Sequence, residues 1–235
     1  MRYYGEALPG FNETSLPGKL IVIEGTDGVG RSTQIALLQE WLEGRGFAVA
    51  STGMVRSALA GKGIDRAKQG HTLSDSVLFL LYATDLADRL ETQIIPALRA
   101  GMVVLTDRYI YSMIARAQVR GADPKWIRQV VGFALVPDAI FYLQADLPHL
   151  VPRVLAEQGG FDYWESGTDL FKGRNLFRNY VRYQTRLLMQ FDAIAQEFGF
   201  RRIDANRTIK EVYNELRREV AAVVAPMKRT LSSHQ

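Results

Sequence analysis

The stretch Gly25-Thr-Asp-Gly-Val-Gly30-Arg31-Ser32-Thr33 constrains this chain more than any other. It follows a short β-branched run, Lys19–Glu24 (KLIVIE), that reads as a buried strand. It opens a segment, Ser32–Arg45, with apolar residues at the helical spacing of Ile35, Leu37, Leu38, Trp41 and Leu42. Strand, glycine-rich turn and helix in that order are the setting of the phosphate-binding loop G-x-x-x-x-G-K-[ST], and every fixed position fits except the lysine, which is Arg31. Glycines let the backbone curl so that successive N–H groups face phosphate oxygens, and the helix N-terminus adds partial positive charge. On this reading Gly25, Thr26, Asp27, Gly28, Val29, Gly30, Arg31, Ser32 and Thr33 cradle the phosphates, with the Ser32 hydroxyl offered to Mg²⁺. Arginine binds phosphate but is planar and wider than the compact ammonium of lysine. Three outcomes stay open: transfer with a shifted geometry, slow transfer, or binding without turnover.

The remainder alternates strand with helix. Phe47–Ser51, Met102–Thr106, Asp138–Leu143 and Phe200–Ile203 read as further short strands. Helical spacing covers Leu73–Arg99, with a break or kink expected at Pro96, and Asp123–Leu135, with Asp123 as N-cap and Pro124 at the first helical position. It also covers Leu176–Phe198 and Thr208–Val224. Strands joined through helices pair in parallel, so the expected fold is α/β, of the P-loop NTPase type: a five-stranded parallel sheet with helices on both faces. Ligands sit at the carboxyl ends of the strands of such sheets, which points to the loops after Glu24, Ser51, Thr106 and Leu143. Asp107 and Arg108 stand at one of those ends. Residues 1–18, rich in Gly, Pro, Asn and Ser, read as a flexible arm, residues 19–225 as the folded domain, and residues 226–235 as a frayed tail.

Composition narrows the function. A chain of 235 residues suits one such domain. The net charge is +4, supplied mostly by arginine, whose fork suits phosphate oxygens; an anionic substrate and mere arginine-rich usage both fit that excess. No Lys/Arg block is long enough for a nucleic-acid patch, so no nucleic-acid partner is expected. No apolar run approaches the roughly 18 residues that span a bilayer, and the first residues lack an apolar stretch of signal type, so the protein is expected in the cytoplasm and off the membrane. The absence of cysteine excludes thiolate metal sites and thiol nucleophiles, and His71, His149 and His234 show no metal-ligand spacing.

Four segments in order, EGTDGVGRST, LYATD, DRYIYS and VPDAIFYLQAD, resemble the thymidylate kinase family of nucleoside monophosphate kinases, over about Lys19 to Val224. The resemblance implies ATP-dependent phosphoryl transfer to a nucleoside monophosphate, dTMP first, with Mg²⁺. It also implies a homodimer through long helices, for which the apolar face of Leu73–Leu90 could serve, though that face fits the core equally well. It places Asp27 near the acceptor phosphate and metal, Asp107 beside the metal, and Arg108 on the acceptor phosphate. Tyr82 falls where the family stacks an aromatic ring on the acceptor base, with Asp85 at the family's spacing, and residues 157–175 fall where it carries a lid. On this reading Arg31, Asp27, Arg108 and the lid cation Arg174 act on the transferring group, and Arg56 and Arg116 join the acceptor site. An anionic phosphate acceptor needs no general base.

The departures are specific. Thr52-Gly53-Met54-Val55-Arg56 replaces an acidic-Pro-Gly-Gly stretch, and Leu86 replaces the arginine that reads the thymine edge in the family. Met113, Arg116 and Ala117 stand where polar residues and a Tyr or Gln surround the base, with Gln118 close by, and the lid offers only Lys172 and Arg174, with Arg178 following. Each assignment has a plainer counterpart: Tyr82 as core, Asp85 paired with Arg89 at helical spacing, and Arg56, Arg116 and Arg174 as solvated side chains. A kinase for another phosphorylated acceptor, and a nucleotide-binding protein without turnover, remain as alternatives.

Overall fold

The computed structural model describes residues 2–11, 15–70, 73–171 and 175–227. Five strands form one parallel sheet: β1 (Lys19–Glu24), β2 (Val49–Gly53), β3 (Val103–Asp107), β4 (Ala139–Gln144) and β5 (Arg201–Asp204), in the order β2-β3-β1-β4-β5. The helices are α1 (Arg31–Gly44), α2 (Gly61–Gly70), α3 (Asp75–Arg89), α4 (Ile95–Arg99), α5 (Ile110–Val119), α6 (Pro124–Val130), α7 (Leu147–Gln158), α8 (Leu176–Glu197) and α9 (Ile209–Val224). The expected α/β architecture is what the chain adopts. β1 has the expected bounds, and the other four strands begin and end one or two residues later than the apolar runs suggested, because pairing continues past the last apolar side chain. Three helices, α2, α5 and α7, escaped the sequence reading, although α7 carries Leu147, Leu150, Val151, Val154 and Leu155 at helical spacing around an internal Pro152.

Alternation along each strand splits the core in two. Leu20 and Val22 of β1 face the cluster built with Leu86 of α3, Ile114 of α5 and Leu187 of α8. Ile21 and Ile23 face Leu38 of α1 and Leu216 of α9. The central strands β1, β3 and β4 are buried on both faces, which is why they read as continuous apolar runs. Thr208 caps α9 in a complete capping box with Glu211. Asp123 caps α6 by accepting from the Lys125 N–H at 3.0 Å.

The helical stretch after residue 73 is interrupted next to Pro96, where a break or kink was expected, but by a change of winding that precedes the proline. Ser74 caps α3, a π-helical turn occupies Leu90–Ile94, and Pro96 falls in the first turn of α4. The wider turn comes just before the proline, whose missing N–H would otherwise interrupt an α-helical ladder, and the first turn of a helix tolerates that loss. The segment expected to be a flexible arm is held in place where it is described. Tyr4 N–H donates to Ala134 O at 3.0 Å, and Val136 N–H donates to Arg2 O at 2.8 Å. The Tyr4 ring meets Phe198 edge-on at 5.3 Å and Tyr111 at 6.3 Å. Two aromatic rings against the core supply the apolar contact that its Gly- and Pro-rich composition concealed.

Candidate active site

Sheet order assembles the site. In β1 and β3, Ile23 pairs with Asp107, and in β2 and β3, Gly53 pairs with Asp107, so the loops leaving all three strands emerge side by side. The loop after β1 curls at Gly25 (φ 150°) and Gly28 (φ 75°) before entering α1. A side chain at Gly25 would meet Leu143 O at 2.8 Å, so the turn demands glycine there.

Arg31 does not extend from this loop. Its Nε donates to Asp107 Oδ1 at 2.7 Å, and its Nη1 donates to Gly25 O at 2.8 Å and to Thr26 O. The guanidinium thus clips the loop's own carbonyls to the end of β3, a span that a lysine ammonium cannot bridge. Ser32 Oγ donates to the other Asp107 oxygen at 3.1 Å. Burial pushes the Asp107 carboxyl up, but Arg31 and Arg108 outweigh it and hold it below the usual carboxylate range.

Asp27 is the second hub. Arg108 Nη2 donates to Oδ1, Arg116 Nη2 donates to Oδ2 at 2.9 Å, and Arg31 Nη2 lies 3.8 Å away. Burial raises the Asp27 carboxyl, yet these three cations outweigh it and leave it far below its ordinary value. Arg108 is buried, and burial together with neighbouring Arg31 pulls its guanidinium down to about 10. Its backbone is in the left-handed region (φ 67°), rare outside glycine. The conformation is fixed from several sides. Arg108 N–H donates to Ile23 O at 3.0 Å, Thr106 Oγ1 donates to Arg108 O at 2.8 Å, and Nη1 donates to Ser112 Oγ at 3.0 Å. Glu24, wholly buried, accepts from the N–H of Tyr109 at 2.8 Å and from Ser112 Oγ at 2.6 Å, bracing the start of α5.

Asp85 stands beneath the site and does not line it. It pairs with Arg89 at 2.9 Å, both side chains buried, as their helical spacing allowed. Its two oxygens accept from the N–H groups of Val55 (3.1 Å) and Ser57 (2.9 Å). Val55, like Arg108, has positive φ (63°), costly for a β-branched residue. The carboxylate therefore holds the turn that presents Arg56, which is exposed at the mouth of the site.

Two cavities meet here. One, of about 210 Å³, runs from Asp27, Arg31, Arg56, Arg108 and Arg116 to an aromatic end with Phe79, Tyr82 and Trp126. The second, of about 520 Å³, follows the loop from Asp27 to Gln34 and is bounded by Arg153 and Arg207. Asp27 and Arg31 line both. The structure thus gathers Arg31, Asp27, Arg56, Tyr82, Asp107, Arg108 and Arg116 in one region; Arg174, with Lys172, lies outside the described residues. Phe79, Trp126, Trp164, Arg120 and Tyr183 line the first cavity and were missed. Phe79 stands one turn before Tyr82 on α3, a spacing that could have revealed it; the others come from distant parts of the chain. The described part of the expected lid packs against the body. Trp164 Nε1 donates to Lys68 O at 3.1 Å, and Arg120 Nε donates to Asp169 at 2.8 Å.

A family model for thymidylate kinase matches residues 23–216. The chain is 35% identical over 202 residues to a probable thymidylate kinase 2 of Saccharolobus solfataricus, covering 86% of this chain and 94% of that one. It is 29% identical over 212 residues to a probable thymidylate kinase of Thermococcus gammatolerans, covering 85% and 94%. It is also 38% identical over 158 residues to a thymidylate kinase of Clavibacter sepedonicus, covering 64% and 74%.

Proposed function

This chain belongs to the thymidylate kinase family, and from that premise we propose that it transfers the terminal phosphoryl group of ATP to dTMP, giving dTDP and ADP. The observation that carries this reading is the meeting of two cavities at Asp27 and Arg31. A donor lying along the loop after β1 and an acceptor reaching in from the aromatic end bring their phosphates to the same point. Phosphoryl transfer needs alignment and charge neutralisation more than covalent chemistry.

The chain's residues divide that work. The N–H groups of residues 25–33 and the N-terminus of α1 receive the donor phosphates. Arg108, Arg116 and Arg56 face the acceptor phosphate, and Tyr82 and Phe79 offer rings to its base. Arg31 stands between donor and acceptor. Ser32 Oγ and the Asp107 carboxylate are hard oxygen donors 3.1 Å apart, a set that fits Mg²⁺ completed by substrate phosphates and water. When bound, Mg²⁺ neutralises charge on the phosphate oxygens. Arg174 closing over the transferring group, a cytoplasmic location and a homodimer complete the reading. Exposed Val77 and Leu80 on α3 support the dimer, and no helix among the described residues is long and apolar enough to cross a membrane.

The test is acceptor-dependent ADP formation from ATP and Mg²⁺ with a panel of nucleoside monophosphates. Turnover with dTMP above the others supports the proposal. Turnover confined to a different acceptor moves the substrate, and ATP binding without turnover leaves a nucleotide-binding protein.

A further inference from the structure

A groove along the outer face of α8, apart from both cavities of the active site, has a volume of about 820 Å³ and is lined by Phe171, Phe177, Arg178, Arg182 and Arg186 among others. The three arginines stand at i, i+4 and i+8, so they stack along one face and span roughly 12 Å at the α-helical rise. They are exposed, whereas Tyr180, Leu187 and Phe191 on the other side of the helix are buried in the core.

Like charges at this spacing repel. From Asn175 to Phe191 the sequence supplies no Asp or Glu to offset them. None of the three guanidiniums makes an ion pair with a carboxylate among the described residues, although exposed Arg128, Arg201 and Arg202 each do. The row is nevertheless held in place. Arg182 lies over the Phe171 ring at 4.3 Å and Arg186 at 5.2 Å, and Phe171 O accepts from Asn179 Nδ2 at 3.3 Å. Stacking engages the faces of the guanidiniums and leaves their N–H edges to donate. Phe177, 52% exposed, adds an aromatic ring beside Arg178.

We propose that this groove is a second anion site, built to take an oligophosphate chain such as that of a nucleoside triphosphate or of free polyphosphate. Arginine forks grip phosphate oxygens in pairs, and a chain of linked phosphates answers a row of cations better than a single phosphate does. The proposal does not depend on the kinase reading, because no residue of the groove lines either of the two cavities that meet at Asp27 and Arg31.

Calorimetric titration of the full chain with inorganic tripolyphosphate tests it. Wild type is expected to show two binding events, one at the loop after β1 and one in the groove, both weakening with salt. In Arg182→Gln/Arg186→Gln the second event is expected to weaken about tenfold or more, with kcat and the acceptor KM unchanged. Should that variant not fold by circular dichroism, Arg182→Lys/Arg186→Lys keeps the charge without the forks and is expected to show an intermediate loss. Titration with ATP separates the sources. A groove affinity above that of tripolyphosphate, lost in Phe177→Ala, marks a nucleotide; equal affinities mark free polyphosphate. A single event in wild type, or two unchanged events in the glutamine variant, overturns the proposal. So does a variant that loses only a single-stranded oligodeoxynucleotide while tripolyphosphate binding stays intact.

Discussion

Arg31 Nε sits 2.7 Å from Asp107 Oδ1, so the cation that replaces the usual lysine of the loop is tied to the carboxylate at the end of β3. The same guanidinium bonds Gly25 O at 2.8 Å, and the loop is closed on itself before any phosphate arrives. Arg31→Ala is expected to lower kcat/KM for ATP by about 10²–10³-fold, the usual loss for one charge-stabilising donor in a transfer site. Arg31→Lys is expected to stay within about tenfold, because the charge can still reach a phosphate. It should also lose about 1–2 kcal/mol of nucleotide-free stability, since the clip to Gly25 O is gone. Steady-state kinetics and urea unfolding of the same preparations check both statements.

Arg108 faces the acceptor side of the cavity from a strained, fully braced backbone. Arg108→Ala is expected to lower kcat/KM for the acceptor by about 10²-fold or more while ATP affinity, measured separately by titration, changes little. An equal loss of ATP affinity would refute the division of labour between the two cavities.

Asp85 offers a test of positioning against stability. Asp85→Ala leaves Arg89 buried without its carboxylate and releases the Val55 and Ser57 N–H groups, and is expected to cost about 3–5 kcal/mol in unfolding. Asp85→Leu/Arg89→Leu should recover much of that stability, because no charge is left unpaired. Its acceptor KM should nevertheless stay raised, because nothing holds the turn that carries Arg56. Recovery of both would mean that Asp85 does not position Arg56.

The carboxyls of Asp27 and Asp107 lie below their ordinary value in the fold, which fixes the sign of a pH effect. In the unfolded chain both titrate near about 3.9. The stability that they contribute is present above that value and is lost as pH falls through their lower folded values. Unfolding free energy should therefore drop steeply below about pH 4. Asp27→Asn should show a shallower acid slope between about pH 4 and 2, and an unaltered slope would refute the arginine hub at Asp27.

Tyr82 is 8% exposed and lines the aromatic end of the acceptor cavity. Tyr82→Phe should keep the acceptor KM within about twofold, and Tyr82→Ala should raise it about tenfold, as loss of one base-stacking ring does. Thermal unfolding in parallel separates this from simple loss of core packing.

The sequence by itself determined the parallel sheet, because strands buried on both faces must be apolar throughout and must be joined by helices. It also determined the phosphate loop, whose glycine turn, preceding strand and following helix are all local in the chain. Asp107 and Arg108 were legible for the same reason, as polar residues at the carboxyl end of an apolar run. Tertiary structure alone decided what those residues touch. Strand order set Asp107 against both Ile23 and Gly53, and so turned Arg31 inward onto its own loop. It gathered Arg108 and Arg116 on Asp27, residues more than eighty positions apart. It moved Asp85 from the cavity wall to the bracing beneath it, and docked Tyr4 onto Tyr111 and Phe198. Local backbone preference and apolar periodicity act over a few residues, so they are written in the sequence; hydrogen bonds between charged side chains depend on which strands become neighbours, and only the folded chain decides that.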